Sequence, residues 1–254
     1  MKAIIIGAGR GKRLGSNTDH SPKCFTEIGN QRILDWIIQS FNENGIENIC
    51  FIGGYQMYKI KKDYPQFKFC HNVNWERNNI LASLMYAESE MDESFICCYS
   101  DILFTPKVVK KLLDSKFDVS LVIDTHWLDR YQHRSDHPPH DAEKVLIEGK
   151  QITRVHRDIR SSQAYGEYIG VAKFTAKGAE LLKNYYHQCQ KKYDGKPFRE
   201  AVTFEKAYLI HLFQEMIEQG EILAHIDTPG GYMEIDTPQD LELARKNWSQ
   251  EYVK

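Results

Sequence analysis

Apolar and polar residues alternate in blocks that divide the first half of the chain into strands and helices. Short β-branched or aromatic runs predict buried strands, and apolar residues spaced three and four apart predict helices. The predicted strands lie at 2–6, 49–52, 67–70, 95–99 and 119–123. The predicted helices lie at 31–43, 55–64, 80–87 and 108–113. This alternation is typical of an α/β fold whose mainly parallel sheet is flanked by helices on both faces.

The pattern changes after residue 124. Residues 126–142 are polar and rich in His, Asp and Pro, which predicts a long loop. A hairpin follows at 145–155, and the later apolar segments predict strands at 168–174, 222–226 and 232–235 and helices at 176–190, 204–219 and up to 246. Thr237 and Pro238 are suited to the start of the last helix. We therefore expect a single domain over residues 1–254, with a small inserted lobe at about 125–175.

Composition narrows the class of protein. Lys and Arg number 33 against 35 Asp and Glu, a balance that gives no support to a nucleic-acid partner. No apolar stretch approaches the ~18 residues that span a bilayer, and the apolar N-terminal run is too short for a signal peptide. The six cysteines form no C-x-x-C pair, so reduced core thiols in a cytoplasmic protein are expected. An apolar segment at 208–213 is predicted to be either core or the interface of a homodimer.

A glycine-rich loop, GAGRGKRLG at 7–15, follows the first strand directly. A strand that enters such a loop offers backbone N–H groups to an anion. The dinucleotide fingerprint is excluded because Lys12 stands where its third glycine belongs. The P-loop is excluded because Ile6 and Arg13 stand where it needs Gly and Ser or Thr. A loop that also carries cations suits a nucleoside triphosphate, although a solvent-exposed turn would look the same.

Several later segments accompany this loop in a fixed order. They are Arg13-Leu14-Gly15, Ser21-Pro22-Lys23, Gly53-Gly54-Tyr55, Ser100-Asp101 and Glu234-Ile235-Asp236-Thr237-Pro238. Together they resemble the signature of the nucleotidyltransferases that make sugar nucleotides and CDP compounds. Asn78-Asn79-Ile80-Leu81-Ala82-Ser83 is similar to a segment of the bacterial choline-phosphate cytidylyltransferase branch. The resemblance implies a nucleotide-diphospho-sugar transferase-like fold of the GT-A type, with the inserted lobe binding the acceptor.

The resemblance also implies a reaction and its residues. A phosphorylated alcohol or phosphonate attacks the α-phosphorus of CTP, pyrophosphate leaves, and the product feeds cell-surface polymer synthesis. Arg13 and Lys23 would be catalytic, and Asp101 and Asp236 would hold Mg²⁺. The residues expected to bind the nucleotide are Ala8, Gly9, Gly11, Lys12, Gly54, Asn79, Ser83 and Ser100.

The acceptor pocket has weaker signals. Trp127 and Tyr131 could face a quaternary ammonium group, and Glu143 and Glu167 could contact an ammonium or hydroxyl group. Aromatic residues of this kind also serve as packing. The histidines of 133–140 have no zinc-site spacing, so a mobile polar loop is expected there.

Other functions remain open at this stage. Within the class, a hexose-1-phosphate uridylyl- or thymidylyltransferase is the alternative. Outside it, a GT-A glycosyltransferase is disfavoured because Asp101 is followed by Ile102-Leu103 and not by an Asp-x-Asp pattern. Each acidic residue also has a structural alternative: Asp101 as a turn residue and Asp236 as a helix N-terminal acid.

Overall fold

The structure, a computed structural model, describes residues 1–253 of the chain. Its strands in chain order are β1 (Lys2–Gly7), β2 (Glu27–Ile28), β3 (Gln31–Arg32), β4 (Ile49–Gly53), β5 (Lys68–His71), β6 (Phe95–Tyr99), β7 (Ile102–Phe104), β8 (Val119–Asp124), β9 (Lys144–Glu148), β10 (Gln151–His156), β11 (Gly166–Phe174), β12 (Leu223–Thr228) and β13 (Tyr232–Glu234). The predicted strands are thus present, while β2, β3 and β7 were not predicted because runs of two or three residues carry no readable period.

The helices in chain order are α1 (Ile33–Asn42), α2 (Met57–Asp63), α3 (Ile80–Leu84), α4 (Pro106–Asp114), α5 (Trp127–Tyr131), α6 (Ala176–Lys192), α7 (Leu209–Glu218) and α8 (Pro238–Val253). The prediction of one long helix at 204–219 is wrong. A single 3₁₀ turn at Phe204–Lys206 is followed by extended backbone at Tyr208, and α7 begins only afterwards. The carbonyl oxygens of this turn are not free to continue a helix, because Glu205 O accepts a hydrogen bond from Asn79 N at 2.8 Å.

Nine strands form one mixed sheet in the order β5-β4-β1-β6-β11-β8-β12-β10-β9. The first four strands are parallel to each other. Strand β11 runs antiparallel to both of its long neighbours, β6 and β8, and the β9–β10 hairpin continues the sheet at its far edge. The α/β fold class is confirmed, and the parallel arrangement is found in the half that carries the glycine-rich loop.

Two apolar layers cover the two faces of the sheet. Along β1, Ile4 and Ile6 pack on one layer with α3, α6 and α7, while Ala3 and Ile5 pack on the other with α1, α4 and α8. This alternation is what a strand buried on both faces requires. Segment 208–213 belongs to the first layer, where Leu209, Leu212 and Phe213 are fully buried, so it is core.

A small two-stranded sheet joins distant parts of the chain. Strand β13 pairs antiparallel with β7, with Glu234 opposite Ile102, and Ile235 N donates to Asp101 O at 2.9 Å. This pairing brings Asp236 beside Asp101, although 135 positions separate them in the sequence. All six cysteines are free and five of them are buried. Within residues 1–253, no helix is both long and apolar enough to cross a membrane.

Candidate active site

The centre of the site is a lysine held between two carboxylates. Lys23 Nζ donates to Asp101 Oδ2 at 2.8 Å and also to Asp236 Oδ1. Burial opposes the positive charge of Lys23, but the two carboxylates outweigh it and raise the pKa of Lys23 above its usual value. The lysine therefore stays charged throughout the physiological pH range. The carboxylates of Asp101 and Asp236 converge on this one point, where three charged groups meet.

The glycine-rich loop shapes the entrance to this cluster. Gly11 has a φ of 70°, and a Cβ there would lie 2.5 Å from Lys23 Cδ, so only glycine fits against the lysine stem. Arg13 Nη2 lies 2.5 Å from Asp236 Oδ2, while its side chain remains 61% exposed. Burial alone would raise the pKa of Asp236, but Lys23 and Arg13 outweigh it and lower that pKa. Arg13 is thus anchored at the site and still reachable by a ligand.

A cavity extends from this cluster along the carboxyl ends of the parallel strands. It is lined by nearly all of the residues predicted to contact the nucleotide, namely Ala8, Gly9, Gly11, Asn79, Ser83 and Ser100, together with Arg13, Lys23, Asp101 and Asp236. Lys12 is exposed and does not line it. Gly54 lies behind the lining, where a Cβ would meet Trp75 at 2.6 Å and Ala8 O at 2.7 Å. Gly54 therefore acts through close packing, which the sequence signal could not distinguish from contact.

The inner end of this cavity carries a network of amides. Asn72 Nδ2 donates to Ser83 Oγ at 2.8 Å and to Asn78 Oδ1 at 2.9 Å, and Asn78 Nδ2 donates back to Asn72 Oδ1 at 3.0 Å. Asn72 is fully buried, whereas Asn78 and Ser83 line the cavity. Asn72 therefore fixes the orientation of two polar groups that can read the edge of a base. Asn79 caps α3 with its own side chain.

A second cavity adjoins the first and shares several residues with it, including Arg13, Tyr99, Arg157, Tyr208, Glu234 and Asp236. Glu143 and Glu167, which the sequence predicts to contact the acceptor, line this second cavity. Arg157 Nη2 donates to Glu143 Oε1 at 3.0 Å, and the guanidinium carbon lies 4.1 Å from the centre of the Tyr208 ring. Burial raises the pKa of Glu143, although Arg157 works against that rise.

Trp127 and Tyr131 are not where an acceptor could touch them. Both are more than nine-tenths buried, form a small apolar cluster with Ala142 and line neither cavity. Tyr131 Oη donates to Glu167 Oε1 at 2.7 Å, and Arg130 binds the same carboxylate. Tyr131 therefore supports Glu167 from behind, Trp127 packs against the Tyr131 ring, and the expected aromatic face is not formed by them.

The histidine-containing segment 133–140 also differs from the polar loop that the sequence predicts. His137 is 4% exposed, and its Nδ1 lies 3.6 Å from Glu234 Oε2 and 3.9 Å from Asp236 Oδ2. These three residues form the group within the described chain whose ligand atoms lie close enough for a metal ion. His133 and His140 do not belong to it, and Arg134 Nη2 lies 2.6 Å from His137 Nδ1. The nitrogen that would bind a metal is therefore engaged by a guanidinium group.

Sequence reasoning missed Arg157, Tyr208, Glu234 and His137 as site residues. Glu234 lines both cavities, and burial together with the charge of Asp236 raises the pKa of its carboxyl. Glu234 stands two positions before Asp236 in a segment that carries part of the family resemblance, so its position could have been used to predict it as a site residue. Arg157 follows a hairpin strand and carries no local signal at all.

Comparison with known proteins shows which family and which enzymes the chain is similar to. The sequence profile of the MobA-like NTP transferase domain matches residues 3–140. The CTP:phosphoglutamine cytidylyltransferase of Campylobacter jejuni is 27% identical over 96% of this chain and 98% of its own length. The choline-phosphate cytidylyltransferase of Streptococcus pneumoniae is 28% identical over 41% of this chain and 46% of its own. The inositol-1-phosphate CTP transferase structure from T. maritima superposes with a TM-score of 0.75 at 24% identity, covering 98% of this chain and 95% of that one.

Proposed function

The chain belongs to the MobA-like NTP transferase family, and from this premise we propose that it is a Mg²⁺-dependent cytidylyltransferase. It joins CMP from CTP to a small phosphorylated acceptor and releases pyrophosphate. The observation that carries the proposal is the meeting of Lys23, Asp101 and Asp236 in the first cavity, at the side where Asp236 also lines the second cavity. The similarity to a CTP-dependent enzyme over nearly the full length of both chains supports the choice of nucleotide.

The first cavity is suited to the nucleotide. The base would lie against the Ala8–Gly9 backbone, with Asn78 and Ser83 at its polar edge. The triphosphate would then follow the glycine-rich loop toward Arg13, where backbone N–H groups and the exposed guanidinium group face it. The buried amide network presents fixed donors and acceptors, which is what discrimination between cytosine and uracil requires.

The donor set at the centre fits a magnesium ion. Mg²⁺ prefers carboxylate and phosphate oxygens, and Asp101 and Asp236 both direct a carboxylate oxygen to the ammonium group of Lys23. When bound, the ion would neutralise charge on the phosphates during transfer. Asp236 is held at its other oxygen by Arg13, so its carboxylate faces the cavity from a fixed position.

The transfer itself asks the protein for placement and for positive charge. An oxygen of the acceptor phosphate forms a bond to the α-phosphorus of CTP, and the bond from that phosphorus to the α,β-bridging oxygen breaks. Lys23 lies where it can bind the α-phosphate, and Arg13 can follow the departing pyrophosphate. Two polyanions approach each other in this step, so loss of either cation should slow it strongly.

The second cavity would hold the acceptor. Arg157 is the cation of this cavity that also reaches the first one, beside Arg13, and it can bind the acceptor's phosphate next to the α-phosphate. Glu143, Glu167 and Glu234 then face the remainder of the molecule. A lining of carboxylates accepts hydrogen bonds, so the acceptor should carry hydroxyl or ammonium groups at the end away from its phosphate.

The test is release of pyrophosphate from each nucleoside triphosphate with a panel of acceptors. The panel contains phosphocholine, phosphoglutamine, inositol 1-phosphate, glycerol 3-phosphate and glucose 1-phosphate, and each product is identified by mass. Release that needs CTP, Mg²⁺ and one acceptor, and that is lost in Asp101→Asn, is the expected result. Release with UTP or dTTP and glucose 1-phosphate would instead assign the hexose-1-phosphate alternative. No release under any combination would contradict the proposal.

A further inference from the structure

Asp236 lies two positions before the start of α8, and a second aspartate fixes the backbone around it. Asp240 Oδ2 accepts hydrogen bonds from Asp236 N at 3.0 Å and from Thr237 N at 2.8 Å. In return, Asp240 N donates to Thr237 Oγ1 at 3.2 Å. These bonds satisfy the free N–H groups at the helix start and set the direction in which the Asp236 side chain leaves the backbone.

The other oxygen of Asp240 is paired with an arginine from the 126–142 segment. Arg134 Nε donates to Asp240 Oδ1 at 2.7 Å, and the two side chains are 5% and 1% exposed. Both charges have therefore left water, and each depends on the other for compensation. Asp240 can cap α8 without Arg134, so capping does not explain why the buried arginine is there.

The same guanidinium group reaches the residues on the other side of Asp236. Arg134 Nη2 lies 2.6 Å from His137 Nδ1 and 3.4 Å from Glu234 Oε2. The segment is tied to α8 a second time by Asp136 N, which donates to Gln239 Oε1 at 3.1 Å. Arg134 thus contacts Glu234, which precedes Asp236 in the sequence, and Asp240, which follows it. Through Arg134, both carboxylates are joined to the segment that borders the acceptor cavity.

We propose that Arg134 and Asp240 are positioning residues that couple docking of the 126–142 segment to the placement of the Asp236 carboxylate. The inference rests on the proposed function, because it gives Asp236 the task of holding the metal ion. When the segment is docked, Asp236 is held toward Lys23 and Arg13. When the pair is broken, the first turn of α8 loses its anchor and Asp236 loses its fixed direction. A reacting centre that loses the fixed direction of one of its groups works more slowly, because the transfer depends on how the reacting atoms are placed.

The test compares Arg134→Met and Asp240→Asn with a matched control, Arg154→Met. Arg154 pairs with Asp158 at 2.7 Å, and the two side chains are 44% and 59% exposed, so this ion pair should contribute little. Binding of Mn²⁺, followed by electron paramagnetic resonance in the presence of CTP, reports the metal site without turnover. The Mg²⁺ concentration for half-maximal rate and the KM for CTP are measured on the same samples.

We expect Mn²⁺ binding to weaken at least about tenfold in both variants, with the Mg²⁺ requirement rising in parallel and the KM for CTP, measured at saturating Mg²⁺, changing less than about threefold. The control should match wild type in every measurement. A folded Arg134→Met protein that binds Mn²⁺ as tightly as wild type would overturn the inference.

Loss of one buried charge can also unfold a protein, so two further variants keep the test decisive. The double variant Arg134→Met/Asp240→Asn removes both buried charges together and should fold, yet still bind Mn²⁺ weakly. Arg134→Lys keeps the charge but cannot span Glu234, His137 and Asp240 at once, and it should bind Mn²⁺ more weakly than wild type. Wild-type affinity in either variant would overturn the inference. Failure of the wild-type protein itself to release pyrophosphate from CTP would instead contradict the proposed function.

Discussion

The two cavities that meet beside Asp236 are built in different ways. The first cavity, proposed for the nucleotide, lies at the ends of parallel strands, and its lining includes the glycine-rich loop and small amide or hydroxyl side chains. The second cavity, proposed for the acceptor, is lined by tyrosines and by carboxylates that are paired with arginines, as in Arg130–Glu167 and Arg157–Glu143. Backbone contacts suit a ligand whose shape is fixed. Ion pairs between side chains can be exchanged without altering the fold, so the acceptor side is where specificity can change.

The comparison predicts the largest effect at the charged cluster of Lys23, Asp101 and Asp236, in which Asp236 lines both cavities. Lys23→Met should lower kcat roughly 10³-fold, because the buried ammonium group that is placed to bind the α-phosphate is lost. Lys12→Met is the control, since Lys12 is exposed and lines neither cavity. Steady-state rates of pyrophosphate release measure both variants. Equal losses in the two variants would mean that general loop charge, and not the position of Lys23, drives the step.

A smaller effect, confined to the acceptor side, is expected from Arg157→Met. The KM for the acceptor should rise about 30-fold, in keeping with the loss of a charge-assisted hydrogen bond to a phosphate, while the KM for CTP stays nearly constant. Arg160→Met, three positions along the chain and exposed, is the control. A rise in the KM for CTP instead would place Arg157 on the nucleotide and would remove the distinction between the two cavities.

On the nucleotide side, Ser83→Ala should reduce the preference for CTP over UTP about fivefold, the worth of one hydrogen bond. Ser83 accepts a hydrogen bond from the fully buried Asn72, and its own hydroxyl donates to Asn78 Oδ1 over 3.5 Å, a long contact that a base can replace. Ser89→Ala is the matched control, because Ser89 lies in the turn after α3 and is exposed. Competition assays with both nucleotides measure the preference. An unchanged ratio would show that the amide side chains alone select the base.

The smallest effect on the reaction is expected at Trp127. Trp127→Phe should lower the free energy of unfolding by about 1–2 kcal/mol, because it leaves a small gap in a packed cluster. The KM for the acceptor should remain within about twofold of wild type, since Trp127 lines neither cavity. Thermal unfolding measures the change in stability, and steady-state kinetics measure the KM for the acceptor. A large rise in the KM for the acceptor without loss of stability would show that Trp127 contacts the acceptor directly.

The same contrast explains what the sequence could and could not predict. Arg13, Lys23 and Asp101 stand in short segments of recognisable sequence, and a local pattern therefore located them. The family resemblance that these segments carried is confirmed by the profile match over residues 3–140. Asp236 was found by a similar pattern, because its segment also opens a helix with a recognisable start, and its role as a metal ligand stays a prediction.

The acceptor side could not be predicted in the same way. Arg134 and Asp240 pair across 106 positions, and no local pattern indicates which distant charge each will meet. Trp127 was expected in the acceptor pocket because its residue type suits one, yet residue type does not distinguish a lining ring from a packed ring. The break at Tyr208 was missed for a related reason, since carbonyls of the preceding turn bind the start of α3.

The central claim is that the first cavity selects CTP and holds it through a metal ion between Asp101 and Asp236. Isothermal titration of CTP and UTP in the presence of Mg²⁺, into wild type and into Asp101→Asn, tests this most directly. We expect CTP to bind at least about tenfold more tightly than UTP, a difference of about 1.4 kcal/mol, and to lose most of that affinity in the variant. Equal binding of the two nucleotides, or an Asp101→Asn protein that binds CTP as wild type does, would contradict the claim.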